Sequence, residues 1–174
     1  VTLLEIIAHR IVKRATEMYP DIKCDDYSLP YFIDVSRAIE KLYNKLPLKA
    51  KQSMADCTIY LASSENIHNI TQDDVRVLGI TRPADCIIVL NVERFTDGDD
   101  KLTEDRFESL FYHELGHYLV HHFNEKEKAF YFKLFGNEPE MVGEPEADGF
   151  AAYMQGAAPY HVQEFWSWWA ANDV

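Results

Sequence analysis

Three short β-type runs sit in the middle of this chain: "CTIYLA" at 57–62, "VRVLGI" at 75–80 and "CIIVLN" at 86–91. Helical patterning lies on both sides of them. Strands this short cannot stand alone in water, so a small sheet of about three strands must be covered by the flanking helices. That combination predicts an α+β fold. "TRPAD", between the second and third runs, suits a hairpin turn.

On the N-terminal side, Leu4, Ile7, Ile11, Ala15 and Met18 recur at helical spacing, which predicts a helix over 2–19 ending before Pro20. Residues 20–33, with Pro20 and Pro30, read as a loop. Val35, Ile39, Leu42 and Leu46 mark a second helix stopped by Pro47. On the C-terminal side, Thr103 suits an N-cap with Glu104 and Asp105 in the first turn, opening a helix to about His122. Asn124 with Glu127 forms a capping-box pattern, and Gly136 suits that helix's end. Pro145 opens a helix through about Met154. A last helix over 160–171 sets Val162, Phe165, Trp166 and Trp169 on one stripe, with Trp168 off it. No repeat or low-complexity linker interrupts the series, so one domain over 1–174 is expected.

Charge narrows the partners. Lys+Arg 17 against Asp+Glu 29 leaves a net charge of -12, the wrong sign for neutralising nucleic-acid phosphates or anionic membrane surfaces. No apolar run approaches the ~18–20 residues that a membrane span needs. The start at Val1 fits removal of an initiator Met, and "VTLLEIIAHRIVKRATEMY" reads as an amphipathic helix and not a signal peptide. Cys24, Cys57 and Cys86 are odd in number without CxxC spacing, which points to a reducing, cytoplasmic setting. Cys57 and Cys86 open apolar runs and read as buried thiols. The acidic stretch "FTDGDDK" at 95–101 lacks the length and terminal Glu of an EF-hand loop and reads as a solvated turn.

The chemistry concentrates in "FYHELGHYLV", residues 111–120. Residues four apart share a helix face, so His113 and His117 can converge on one ion. Glu114 is turned by about 100° from His113, leaving its carboxylate free to take a proton from water. Catalytic zinc usually takes three protein ligands. His121 continues the series but lies about 12 Å along the axis from His113, too far to share the ion. His121 and His122 read as helix-end residues that satisfy the last carbonyls. The better third ligand lies in "GEPEADGFAAY", 143–153. There Glu144 and Asp148 share a face beside Ala147 and Ala151, whose small side chains allow close helix packing. Glu144 would complete the ligand set, with Glu146 ranked second. Asp148 would accept the outer N–H of a ligand imidazole.

His113, Glu114 and His117, followed by Glu144, Ala147, Asp148, Phe150 and Ala151 in an E-x-x-A-[ND]-x-F-A pattern, resemble the gluzincin metallopeptidases. More narrowly they resemble the ImmA/IrrE-type domain, in which a strand ending in Asn, as "IIVLN" does at Asn91, precedes the motif helix. The likeness spans about residues 86–155. It implies a small zincin-type α+β fold, one Zn²⁺ per chain, cleavage of peptide bonds, and Glu144 as the third ligand. The chain departs from the family at "AAYMQGAAP", carries no helix-turn-helix domain, and has no counterpart for its first 85 residues, the N-terminal helical segment over residues 1–55 included.

Two function classes follow. The first is a zinc metalloendopeptidase acting on a protein or peptide, with Glu114 as general base and later proton donor. Tyr153, Tyr160 and His161 stand nearest in sequence as donors to the developing oxyanion, and "CIIVLN" is the expected edge strand for holding substrate. The second is a non-catalytic, zinc-stabilised binding module, for which the Trp-rich C-terminus, Trp168 above all, offers a protein-partner surface.

Overall fold

Ile87, Ile88, Val89 and Leu90 form an unbroken apolar series, the composition of a strand covered on both faces. The computed structural model, which describes residues 1–8, 19–71, 78–96, 104–140 and 143–172, places them there. Among the described residues the sheet has four strands in the order β1-β2-β4-β3, formed by Asp21–Cys24 (β1), Thr58–Ala62 (β2), Gly79–Arg82 (β3) and Ile87–Asn91 (β4). β1, β2 and β4 run parallel, and β3 closes the sheet antiparallel to β4. The protein is therefore α+β.

Side chains on neighbouring strands alternate between two apolar layers. Ile59, Leu61, Ile88 and Leu90 face the main core, whereas Ala62, Val89 and the half-buried Tyr60 and Ile80 pack with Ile67 on the other side. Ile67 belongs to Ser64–Thr71 (α4). The main core is one cluster running from Ile6, in helical residues 3–8 (α1), to Trp169 near the C-terminus. It takes in Phe32–Asn44 (α2), Leu48–Ser53 (α3), Glu104–His121 (α6), Glu125–Phe135 (α7), Glu144–Met154 (α8) and Tyr160–Ala171 (α9). A short helix, Glu93–Thr96 (α5), follows β4. No helix among the described residues is long and apolar enough to cross a membrane.

Several expectations need correction. Residues 20–33 are not all loop: Asp21–Cys24 is a strand with one buried apolar side chain, Ile22. Its order comes from backbone pairing with β2 and from Asp25, whose carboxylate accepts hydrogen bonds from Ser63 N (2.7 Å), Asn66 Nδ2 (2.6 Å) and Ser28 N (2.8 Å). The hairpin around 83–85 forms with Gly79–Arg82 as its first strand, while residues 75–77 of the expected run lie outside the described residues. "CIIVLN" is not an edge strand. β4 lies between β2 and β3, and among the described residues the edge strands are β1 and β3. Residues 9–18 of the first helix, Thr103, and residues 97–101 of the acidic stretch lie outside the described residues.

The C-terminal helices end much as their sequence signals require. Asn124 Oδ1 accepts from Glu127 N while Glu127 Oε1 accepts from Asn124 N, a complete capping box, and Gly136 closes α7 at φ 76°. Glu127 also meets Lys49 at 2.8 Å in the interior, and Lys49 Nζ donates to the carbonyls of Trp169 and Asn172 at the end of α9. This buried ion ties α3, α7 and α9 together. Removing one member of such a pair strands its partner, at a cost of roughly 3–5 kcal/mol. Phe165, Trp166 and Trp169 are buried. Trp168 is half-buried and stacks on Phe130 with ring centroids 4.2 Å apart, so much of its ring is engaged within the fold.

Candidate metal centre

The motif helix α6 crosses α8 at Gly116. A Cβ built on Gly116 would stand 2.8 Å from the Cα of Ala147 and 3.0 Å from its carbonyl oxygen, so only glycine lets the helices approach this closely. This approach brings the first turn of α8 over the two histidines. Glu144 is the first residue of α8, preceded by Gly143 at the N-cap and followed by Pro145. A carboxylate there is also favoured by the helix dipole.

The three candidate ligands converge. His113 Nε2 lies 3.0 Å from one Glu144 oxygen, His117 Nε2 lies 3.3 Å from the other, and the two imidazole nitrogens are 3.1 Å apart. Ligand atoms of all three fall within 4.8 Å of one another. A tetrahedral zinc with bonds of ~2.0–2.2 Å has ligand–ligand edges of about 3.3–3.6 Å, so the donor set fits such an ion with small adjustment. The chemistry fits as well. His113 Nδ1 is 2.8 Å from Asp148 Oδ1, and an ionised carboxylate only accepts, which assigns the Nδ1 proton to the imidazole. In that tautomer the neutral form of the ring presents a lone pair at Nε2. Two imidazole nitrogens and a carboxylate aimed at one point call for a proton or a cation between them.

Burial is graded across the site. The His113 and His117 side chains are 19% and 13% exposed, while Glu144 and Asp148 stand at the open rim, 70% and 72% exposed. Burial, reinforced by the His113 charge, lowers the His117 pKa against the opposing pull of Glu144. That favours the neutral imidazole, the form able to bind a metal.

Glu114 belongs to the same turn of α6 but turns into an adjoining cavity of about 230 Å³, lined by Gly79, Ile80, Thr81, Pro83, Glu114, His117 and Glu144. The residue is only 5% exposed. Burial raises its pKa, opposed by the Thr81 hydrogen bond and the His113 charge, while the Glu144 carboxylate adds to the rise. Thr81 Oγ1 lies 2.5 Å from Glu114 Oε2. A carboxyl group with raised proton affinity, walled by an edge strand and next to a prospective metal, is equipped to take up and return a proton.

The other sequence candidates fall elsewhere. Glu146 is buried and points away from the histidines, accepting a hydrogen bond from the Tyr131 hydroxyl at 3.1 Å. His122 Nδ1 is 2.7 Å from the Tyr118 carbonyl, the helix-end role its position suggested. None of Tyr153, Tyr160 and His161 lines the cavity. Tyr153 is half-buried near the far end of α8, about 13 Å along the axis from Glu144. Tyr160 is 77% exposed, and His161 pairs with Glu164 at 3.6 Å. Sequence reasoning missed Gly79, Thr81 and Pro83. The available signal was the contrast between "IIVL", apolar throughout, and the mixed "GITR", which marks the outer strand of the hairpin.

Comparison of the chain with protein-family models, curated proteins and solved structures finds no match. The case for function therefore rests on the geometry of the site.

Proposed function

We propose that this protein is a zinc-dependent metallopeptidase of the gluzincin type on a zincin-like fold, cleaving peptide bonds of a protein substrate in the cytoplasm. One observation carries the reading. His113, His117 and Glu144 converge on a point at distances of 3.0–3.3 Å, while Glu114 faces the cavity beside it. A structural zinc site needs no such carboxylate. Zn²⁺ held by the three residues would supply Lewis acidity, acidifying water and polarising a carbonyl oxygen.

The chain's own groups account for the rest of the chemistry. Glu114 takes the proton of the attacking water and passes it to the departing amine, a task that its burial favours. Asp148 fixes the His113 ring and its tautomer. The outer edge of β3, which lines the cavity, offers main-chain groups to an extended peptide, in place of the β4 edge expected from sequence.

Glu114→Gln is the test. The amide keeps the shape of the side chain but cannot accept the water's proton. The variant should hold its metal and fold yet lose chelator-sensitive cleavage when a protein mixture is digested and its peptides are read by mass spectrometry. Wild-type cleavage by this variant would remove Glu114 from the chemistry. Absence of any chelator-sensitive cleavage by the wild type would favour a zinc-stabilised binding module.

A further inference from the structure

Gly79 and Thr81 are two residues apart on β3, so both face α6 while Ile80 turns to the opposite apolar layer. Both meet the same side chain. A Cβ on Gly79 would stand 3.1 Å from Glu114 Cγ and 3.3 Å from Cδ and Oε1, so glycine forms a close floor under the carboxylate. From the next position on that face, Thr81 Oγ1 reaches Glu114 Oε2 at 2.5 Å and the Glu114 main-chain oxygen at 2.9 Å. One hydroxyl thus spans the side chain and the backbone of a single residue, which fixes the side-chain torsions between them.

We infer that Thr81 is a positioning residue for Glu114, its hydroxyl holding the carboxyl group in one rotamer over the Gly79 floor. A hydroxyl carries one proton and can accept as well as donate. Toward the carboxylate, Thr81 donates to Oε2. The β-branched threonine, stiff at χ1 and suited to a strand, holds the hydroxyl better than a freely rotating side chain would. The role rests on the proposed hydrolytic reading of the site, and the experiment below separates the two.

Acetohydroxamate is the probe, because it needs no knowledge of the natural substrate. On chelating zinc as the anion, the hydroxamic acid gives its O–H proton to a neighbouring base, here Glu114. Its affinity for the zinc-loaded full chain is measured by calorimetry for the wild type, Thr81→Val, Thr81→Ser and Glu114→Gln, alongside zinc affinity by chelator competition. Thr81→Val and Glu114→Gln should bind acetohydroxamate at least roughly 10-fold more weakly, the worth of one hydrogen bond to a charged group, with zinc affinity within about twofold of wild type. Thr81→Ser should restore most of the loss. Valine is well tolerated on an edge strand, and Thr81→Ala serves as the second deletion should Thr81→Val not fold.

Wild-type hydroxamate affinity in Thr81→Val, with Glu114→Gln weakened, overturns the role of Thr81 and leaves the hydrolytic reading standing. A parallel loss of zinc affinity, or no restoration by serine, marks Thr81 as merely structural and also overturns it. Wild-type affinity in Glu114→Gln, or no zinc-dependent binding by the wild type, overturns the hydrolytic reading and the role of Thr81 with it.

Discussion

Gly116 and Ala147 touch backbone to backbone: a Cβ added to Gly116 would lie 2.8 Å from the Cα of Ala147. Neither atom can rotate aside, so Gly116→Ala must part α6 from α8, the helices that carry the histidines and Glu144. Alanine gains about 1 kcal/mol of helix propensity, but overpacking costs typically 1–3 kcal/mol, so little or no net stability should be gained. The clearer effect is on the metal. Zinc affinity should fall, read by competition with a chromophoric chelator, because Glu144 is drawn away from His113 and His117. A variant that is more stable and binds zinc unchanged would contradict this packing.

Asp148 holds His113 without belonging to the ligand set. Asp148→Ala should weaken zinc affinity by about 10- to 100-fold with the stoichiometry unchanged. Asp148→Asn should be milder, since its amide oxygen still accepts the imidazole N–H. The same competition titration decides, and identical affinities across the three proteins would remove Asp148 from the site.

How far the sequence discloses this fold depends on how local each signal is. The spans of α6, α7, α8 and α9 were legible because caps and helical periodicity are written within each segment, as Asn124, Glu127 and Gly136 show. The convergence of Glu144 on His113 and His117 was legible because spacing of four and small residues at 147 and 151 constrain where a second helix can lie. β1 was not, since "DIKC" has one buried apolar residue and owes its order to β2 and to Asp25. Nor was the edge position of β3. Strand order is a property of the assembled sheet, and the hairpin turn alone does not say which of its arms lies outside. Thr81 stayed hidden for that reason.

Asp25 gives a prediction on pH. Burial raises its pKa, but hydrogen bonds from Asn66, Ser63 and Ser28 together outweigh burial and hold it below the usual 3.8. A carboxylate with a depressed folded-state pKa contributes stability above its unfolded-state value, and the contribution is lost as pH falls through the folded-state value. Asp25→Ala should therefore be less stable than wild type at pH 7, by about 1–3 kcal/mol for the lost charged hydrogen bonds. The gap should narrow as the pH drops below 3.8. Urea denaturation of both proteins at neutral and acid pH measures it. A gap that widens in acid would contradict the network.

The central claim is that His113, His117 and Glu144 hold one zinc. Elemental analysis of the purified chain, reconstituted with Zn²⁺ and freed of loosely bound metal, tests it most directly, with His117→Ala and Glu144→Ala beside it. Close to one equivalent per chain is expected for the wild type, with a large loss in both variants while their far-ultraviolet circular dichroism stays that of a folded protein. A wild type that retains no zinc, or variants that retain it in full, would contradict the account.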